Sequence, residues 1–460
     1  MWRGCRVTWF PKEWGIVRPQ RQLVKIGASL VALLLVMTVL IVVFWDGLLN
    51  HFAKTRAERA FAKAHPGFVL GIGHLDYSLR ANCLVARTIT LSGTNTTFKV
   101  DRVSLTGVRW AALFWGTASP GKVLAAASLD ASNLDLELPQ AHYMIRCGRM
   151  RSSVPRSELI AERIELSTLI NDEEFFKAHV FRTTRFIVIV PECQVAGLAY
   201  DDLLVGRSYR ARSVHFLRPS FDALVNLDKL VAPFVKAPLM VNEALAGIQQ
   251  PLQIDSLSIT NGSLKYSERT VAGASPGMLT FSAVNIVAEG IANHGDSSAA
   301  IKLWAQGKLM DAGVLTLLMT IPIMSKELSF RYSGSITAME LTKLDAFLNI
   351  DAHIGIKSGS MKEAAFDINV AAGHAQGHVR GAYQNLEIAL LNKQTGAENG
   401  IESHLASFLA NKLKIRSSNA LDASAKSKVG EVNYTRRPDD EFLQFLWFAL
   451  RTGVLDIISH

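Results

Sequence analysis

The sequence predicts a mainly β protein, with an N-terminal transmembrane helix followed by a long antiparallel β-sheet and a few short helices. Two observations predict this class. Residues 26–45 form a run of 20 residues without a charged side chain. After Gly67, short stretches of alternating apolar and polar residues follow one another, with turn residues such as Asn261 and Gly262 between them. Alternation with a period of two is typical of strands with one buried and one solvated face, and close spacing favours antiparallel meanders.

The apolar run is long enough to span a bilayer, because 20 helical residues at about 1.5 Å each cover roughly 30 Å. A cleaved signal peptide would have a shorter apolar core and a small-residue cleavage site, which the residues after Asp46 do not offer. A buried soluble helix is the remaining alternative. Residues 1–25 carry six Lys or Arg and residues 46–65 carry four, so the positive-inside rule favours a cytoplasmic N-terminus.

Composition shifts divide the chain into seven segments. They are a basic cytoplasmic tail (1–25), a transmembrane helix (26–45), a juxtamembrane helix (46–65), a first β-rich region (66–220), a helical insertion (221–249), a second β-rich region (250–395) and a helical C-terminal cap (396–460). Within the cap, helical spacing predicts helices over 401–413 and 440–451, the second ending at Gly453.

Two motifs resemble catalytic loops but lack an essential group. Gly116–Lys122 nearly spells a phosphate-binding loop, but the next residue is Val123 instead of the Ser or Thr that reaches Mg²⁺. Gly273–Gly277 spells G-x-S-x-G, but Pro276 has no N–H for an oxyanion hole. The net charge of +9 includes +5 from the tail. We therefore expect neither a nucleotide nor a nucleic acid as a partner.

The histidines and cysteines do not form a metal pattern. His374 and His378 lie on an alternating stretch, where four residues span about 13 Å and cannot share one ion. Cys83, Cys147 and Cys193 lack close spacing, and the sequence leaves open whether two of them pair. We expect no catalytic residues, no metal and no cofactor, hence a protein that is not an enzyme.

Several segments together resemble the AsmA-like family, the AsmA and TamB group of Gram-negative envelope proteins. The segments are Gly73–Leu91, Leu257–Tyr266, His404–Ile415, Tyr434–Pro438 and Phe442–Gly453. Residues 250–455 resemble the family best and 66–140 moderately, whereas 141–215 is poorly accounted for. The resemblance implies an inner-membrane anchor, a periplasmic domain, a curled sheet with an apolar concave face, and a role in lipid transport or outer-membrane assembly.

The resemblance and the alternation together indicate which residues would face lipid. The groove candidates are Leu257, Ile259, Leu264, Phe366, Ile368, Val370, Leu386 and Ile388. In the last helix, Phe442, Phe445 and Trp447 are candidates for contact with a membrane or for capping the groove. The expected partners are membrane lipids and envelope proteins. The alternative is a scaffold with a closed β-sandwich and a protein partner, which alternation does not distinguish from a groove.

Overall fold

The computed structural model describes residues 54–109 except 56–57, 60, 64, 66 and 79–80; 120–230; 240–390 except 271–272, 297, 326 and 352–353; 415–420; and 428–459 except 439. The predicted tail, the transmembrane helix 26–45 and the helix 401–413 lie outside these residues. Among the described residues, we find no helix long and apolar enough to cross a membrane. The described part of the predicted juxtamembrane helix is helical at residues 54–55, 58–59 and 61–63.

The chain is mainly β, and its described strands form one sheet of seventeen strands. The strands are β1 (Phe68–Ser78), β2 (Cys83–Gly93), β3 (Thr96–Thr106), β4 (Ser128–Leu138), β5 (Tyr143–Ser153), β6 (Glu158–Thr168), β7 (Thr184–Ala196), β8 (Tyr209–Leu217), β9 (Ser220–Asn226), β10 (Leu252–Arg269), β11 (Gly277–Ala292), β12 (Ala300–Leu309), β13 (Gly313–Pro322), β14 (Phe330–Glu340), β15 (Ile354–Ala371), β16 (His374–Leu390) and β17 (Gly430–Thr435). The predicted mainly β class and long antiparallel sheet are confirmed.

Nearly every strand pairs with its neighbours in sequence, as expected for a meander. β1 to β7 are antiparallel in chain order. β10 to β17 continue in the same way. Between them, β8 and β9 lie end to end in one row, because both pair with β7. The sheet therefore has sixteen rows of strands.

One seam of the sheet is parallel. β8 and β9 pair parallel to β10, with Val214 opposite Leu257 and Phe221 opposite Leu264. The prediction of a helical insertion beginning at residue 221 is therefore wrong for residues 221–226, which form β9. This short apolar run suits a helix or a strand, and hydrogen bonding on both sides, to β7 and to β10, selects the strand.

From β1 onward, the described residues form six short or medium helices between and after the strands. They are α1 (Pro120–Leu124), α2 (Asp172–Ala178), α3 (Tyr200–Leu204), α4 (Val241–Ala246), α5 (Asp345–Asp351) and α6 (Phe442–Ile458), with 3-10 turns at Pro139–Ala141 and Leu341–Leu344. The sequence marks the start of α2 clearly. The Asn171 side chain accepts a hydrogen bond from the Glu174 N–H at 2.9 Å, and three acidic residues occupy the first turn, where the helix dipole favours negative charge.

The strand registers define one edge of the sheet, which we call the lower edge. It is formed by the starts of β1, β3, β5 and β7 and by the ends of β2, β4, β6, β9 and β10. Phe68, the first residue of β1, lies on this edge opposite Gly93. α2 follows β6 and precedes β7, so it lies at the same edge. The chain therefore enters the sheet at the lower edge.

A line of irregular residues crosses the first strands at one level. Thr88 on β2, Asn133 on β4 and Arg163 on β6 have φ of 53°, 50° and 54°. Each adds one residue to the period-two pattern of its strand, and the neighbouring strand adds one at the same level, so the register is unchanged. Gly73 on β1 is adjacent to Thr88, and a Cβ at Gly73 would come within 2.8 Å of the Thr88 Cβ. We call this line of extra residues the crease.

The second half of the sheet curls. α5 contacts β10, β11 and β15, and the Phe347 ring of α5 lies 6.2 Å from the Tyr266 ring of β10. Four strand spacings separate β11 from β15, about 19 Å in a flat sheet. One helix is only about 10–12 Å wide, so the strands must bend toward one another around α5.

α6 continues beyond its predicted end. Gly453 was predicted to end the helix, but the helix runs through it to Ile458. Gly453 instead allows close packing, because a Cβ there would lie 2.6 Å from Val379 Cγ2 and 2.8 Å from Val432 Cγ2. The C-terminal segment is also not wholly helical, since β17 lies within it.

α6 also covers the outer edge of β17. The Glu431 N–H donates to Asp456 Oδ2 at 3.0 Å, and the Asn433 N–H donates to Thr452 Oγ1 at 3.2 Å. These side chains accept hydrogen bonds from backbone N–H groups that could otherwise pair with another strand. The last strand is thereby closed to further pairing at these two positions.

Candidate functional site

The two faces of the sheet differ in chemistry. On one face, which we call the inner face, apolar side chains lie directly opposite one another from strand to strand. One row comprises Leu159, Val195, Val214, Leu257, Ala288, Leu303, Met319, Tyr332 and Ile368. A parallel row comprises Ala161, Cys193, Phe216, Ile259, Ile286, Ala305 and Leu317. The apolar face is therefore continuous from β6 to β15.

The outer face carries paired charges. Arg149 forms two hydrogen bonds with Asp130, at 3.1 and 2.6 Å, and this interaction holds the pKa of the Asp130 carboxyl below its usual range. Arg331 forms the same bidentate pair of hydrogen bonds with Asp367, at 3.0 and 2.6 Å. These pairs are exposed, so they contribute little to stability. Their position indicates that this face is the solvated one.

The middle of the inner face is only partly covered. We call the half-buried residues there the central strip: Leu159, Ile164, Val188, Val195, Val214, Phe216, Leu257 and Ile259. On β6 to β8, these side chains pack around buried Ala161, Val190 and Cys193, and the cluster comprises strand residues from β5 to β8. Within the described part of the chain, no helix contributes to that cluster.

The other end of the inner face is covered by α6. Phe366, Ile368, Val370 and Leu386 are all less than 10% exposed, in one cluster with Phe445 and Ala449. The Phe330 ring lies 5.6 Å from Phe442 and 6.1 Å from Phe445. The Tyr332 hydroxyl donates to the Leu446 carbonyl at 3.2 Å. This end of the sheet is a packed helix-on-sheet core.

The predicted groove residues thus fall into two groups. Leu257, Ile259 and Leu264 are half-buried on the inner face near the parallel seam. The four residues beneath α6 contact protein instead. Ile388 is half-buried and packs with Leu348, Ile415, Leu455 and Ile458. Contact with lipid remains a prediction for all of them, and the central strip offers it the most accessible surface.

The three aromatic residues predicted on the last helix take different positions. Phe445 is fully buried against the sheet. Phe442 is half-buried at the start of the helix, beside Phe330. Trp447 is 39% exposed, so it lies on the opposite side of the helix. Of the three, Phe445 and Phe442 pack onto the sheet, and Trp447 faces solvent.

Sequence reasoning missed the half of the central strip on β6, β7 and β8. The reason is visible at the crease, where consecutive inner-face residues are three apart instead of two. Ala161 is followed on this face by Ile164, and Val190 by Cys193. One extra residue in a strand reverses the alternation of its faces, so the strand reads as two separate short alternating runs. The sequence signals for these inner-face residues were two short alternating runs, Val188–Val190 and Cys193–Val195.

A carboxylate lies at the lower end of the inner face. Glu268 is only 4% exposed; one of its oxygens accepts a hydrogen bond from the Tyr266 hydroxyl, and the other has no hydrogen-bond partner in the described structure. Burial, with repulsion from Glu268, raises the pKa of the Glu441 carboxyl at the start of α6. The inner face is therefore apolar along the strip and acidic near Glu268.

The two cysteines on the inner face do not bond to each other. Cys147, Cys193 and Cys83 are all free thiols. Cys147 is paired with Ile164 on β6, and Cys193 with Ala161 on the other side of β6. Two strand spacings, about 10 Å, exceed the Cα separation of roughly 4.4–6.8 Å that a disulfide requires.

We expect these two thiols to react slowly with iodoacetamide. Burial raises the pKa of the Cys193 thiol to about 11 and also raises that of Cys147, so little thiolate, the reactive form, exists at pH 8. Alkylation at the two sites, followed by mass spectrometry of the peptides, should accelerate as the pH rises from 8 toward 11. Denatured protein is the control, and should react at pH 8 at an ordinary rate. Equal rates in folded and denatured protein would contradict the burial of these thiols.

Comparison of the chain with models of known protein families gives no match. A search of curated proteins also finds no match. The described structure contains no group of three or more His, Cys, Asp or Glu side chains that could hold a metal ion.

Proposed function

We propose that this protein is a membrane-anchored, AsmA-like lipid-binding protein of the bacterial envelope, and that its central strip holds acyl chains. The observation that carries the proposal is the contrast along the inner face. The row that is buried at Tyr332 and Ile368, beneath α6, is only half-buried where it crosses β6 to β10, at Leu159, Val195, Val214 and Leu257. Proteins seldom leave a contiguous apolar surface exposed unless it binds something.

The chemistry of the strip suits an acyl chain. Its side chains are branched aliphatic residues and one phenylalanine, and no charged residue interrupts the rows between β6 and β10. An acyl chain needs contact and exclusion of water but no hydrogen bonds, and each buried methylene contributes about 0.8 kcal/mol. A polar or charged small molecule would find no partner along the strip.

The proposed location follows from the 20-residue apolar run and the basic tail before it. The run would span the inner membrane with the tail in the cytoplasm, which would place the sheet in the periplasm. Sixteen rows of strands about 4.8 Å apart would extend roughly 70 Å in a flat sheet, and the curl of the second half around α5 shortens the span. We therefore propose that the protein holds or transfers lipids together with other envelope proteins, and does not bridge two membranes alone.

The proposal can be tested by replacing valines on the strip with threonine, which keeps the shape but replaces a methyl with a hydroxyl. Val195 and Val214 lie opposite each other on the strip. If both contact an acyl chain, Val195→Thr/Val214→Thr should lower lipid binding roughly tenfold, because two methyl contacts are lost and two hydroxyls are desolvated. The measurement is photo-crosslinking of the full chain in detergent to a phosphatidylethanolamine with a diazirine in its acyl chain, with peptide mapping of residues 184–217.

The matched control makes the same change where no lipid is proposed. Val205, after α3, and Val287, on the outer face, are 50% and 37% exposed. Val205→Thr/Val287→Thr should bind lipid as the parent protein does. Absence of crosslinks in residues 184–217 of the parent protein would reject the lipid proposal. It would favour the alternative, a scaffold whose apolar strip is covered by a protein partner.

A further inference from the structure

The half-buried apolar surface of the inner face continues from the central strip toward the lower edge. On β10, Leu264 and Tyr266 lie on this face beyond Ile259, and both are half-buried. The residues on either side of Leu264, Phe221 of β9 and Phe281 of β11, are half-buried as well. The accessible surface therefore extends along β10 as far as Tyr266.

This surface ends at a buried carboxylate with one unsatisfied oxygen. The next inner-face residue of β10 is Glu268, which is 4% exposed and lies between Val225 of β9 and Gly277 of β11. The Tyr266 hydroxyl donates to Oε1 of Glu268, and the buried Oε2 has no hydrogen-bond partner in the described structure. Native proteins leave few buried polar atoms without a partner, so each such atom requires an explanation.

Neither protonation state of Glu268 satisfies Oε2. An ionised carboxylate lacks a donor at this oxygen, and a proton placed on Oε2 would find no acceptor. The neighbouring cations of β10 do not compensate. Lys265 and Arg269 lie on the other face of the sheet, where they form ion pairs with Asp222 and Glu173. The missing donor is therefore one that a bound molecule would supply.

The charges around Glu268 favour a cation as that donor. Glu441, at the start of α6, lies close enough for Glu268 to repel it, so two carboxyls share this end of the inner face. Within the described residues, no third His, Cys, Asp or Glu joins them to form a metal site. A charge-assisted hydrogen bond from an ammonium would satisfy Oε2 and reduce the repulsion between the two carboxyls.

We propose that Glu268 binds the ammonium of an aminophospholipid headgroup, as in phosphatidylethanolamine, with the acyl chains lying along β10. The inference rests on the proposed function and deepens it by naming the headgroup. One lipid occupies half of a bilayer about 40–45 Å thick, so it is roughly 20 Å long. Leu264 is four residues from Glu268, about 13 Å along the strand. The acyl chains would therefore cover Leu264 and point toward Ile259 of the central strip.

The test compares two diazirine phospholipids with identical acyl chains on the full chain in detergent. Phosphatidylethanolamine carries an ammonium, whereas phosphatidylglycerol is anionic and has none. Crosslinks are mapped by mass spectrometry to residues 184–226 and 252–292, which contain β7 to β11. At equal concentrations below saturation, we expect roughly tenfold more label from phosphatidylethanolamine, the effect of one hydrogen bond to a charged group.

The decisive variant is Glu268→Gln, which keeps the shape of the side chain and removes its charge. The two lipids should label this variant equally. Both lipids are compared on the same preparation, so a partial loss of folded protein does not change the ratio. The matched control is Glu289→Gln, because Glu289 is exposed on the outer face opposite Lys302. This control should keep the preference of the parent protein.

Equal labelling of the parent protein by the two lipids would overturn the proposal and leave the proposed function intact. It would favour a cationic side chain of a protein partner as the group that binds Glu268. A preference for phosphatidylethanolamine that survives in Glu268→Gln would also overturn the proposal. Absence of label from either lipid would reject the proposed function, and the headgroup proposal with it.

Discussion

Replacing Ile368 with aspartate should unfold the protein. Ile368 is fully buried, opposite Tyr332 on one side and Gly377 on the other, in the cluster covered by α6. A carboxylate at this position would have neither water nor a cation. The cost is several kcal/mol, a large share of the roughly 5–15 kcal/mol that separates folded from unfolded states of a domain.

The neighbouring residue provides the matched control. Asn369 is exposed on the outer face, opposite Arg331. Asn369→Asp adds the same charge without changing shape and should leave the melting temperature nearly unchanged. Ile368→Val should cost only about 0.5–1.5 kcal/mol, because it removes one buried methyl group. The measurement is thermal unfolding of the full chain by circular dichroism.

A cooperative transition for Ile368→Asp within a few degrees of the parent would contradict the packing of α6 on the sheet. It would mean that position 368 is accessible to water, as in an open groove. The same comparison therefore decides whether lipids can reach this part of the inner face. We expect that they cannot.

Removing both carboxylates around Arg185 should cost about 3–5 kcal/mol. Its side chain is 5% exposed. The guanidinium donates to Asp172 of α2 at 3.0 Å and to Asp222 of β9 at 2.9 Å, and Lys265 of β10 reaches Asp222 at 3.1 Å. This network joins α2 to the parallel seam. In Asp172→Ala/Asp222→Ala the guanidinium would stay buried with only a weak contact to the backbone of residue 222, at 3.5 Å.

The control for this prediction removes the cation instead. Arg185→Met fills a similar volume, and the two aspartates left behind are 41% and 24% exposed in the parent, so water can solvate them. A buried ion pair replaced by an apolar residue often costs little. We therefore expect Arg185→Met to lose less stability in urea than the double variant. A larger loss for Arg185→Met would show that the attraction within the pair exceeds the penalty of leaving a charge buried.

The fold class and most strands could be predicted because the alternation of apolar and polar residues is visible within a few consecutive residues. Phe366–Val370 and Leu386–Leu390 alternate without interruption, and both lie on strands, β15 and β16. In contrast, the strip residues on β6 and β7 escaped prediction, because one extra residue on each strand, Arg163 on β6 and Pro191 opposite it on β7, shifts the alternation by one residue. The φ of 54° at Arg163 is a consequence of pairing with neighbouring strands, which no local pattern records.

The sequence alone established that the chain is mainly β, since strands with one apolar face can be recognised from residue order. Only the tertiary structure decided which apolar residues remain accessible. Ile368 and Leu257 belong to similar alternating stretches and lie in the same cross-strand row, yet α6 buries the first and leaves the second half-exposed. The difference arises from a helix more than 70 residues away from Ile368, whose approach depends on Gly453 meeting Val379 and Val432. The burial of a strand residue depends on which element packs on its face of the sheet. Alternation indicates only that the strand has one apolar face.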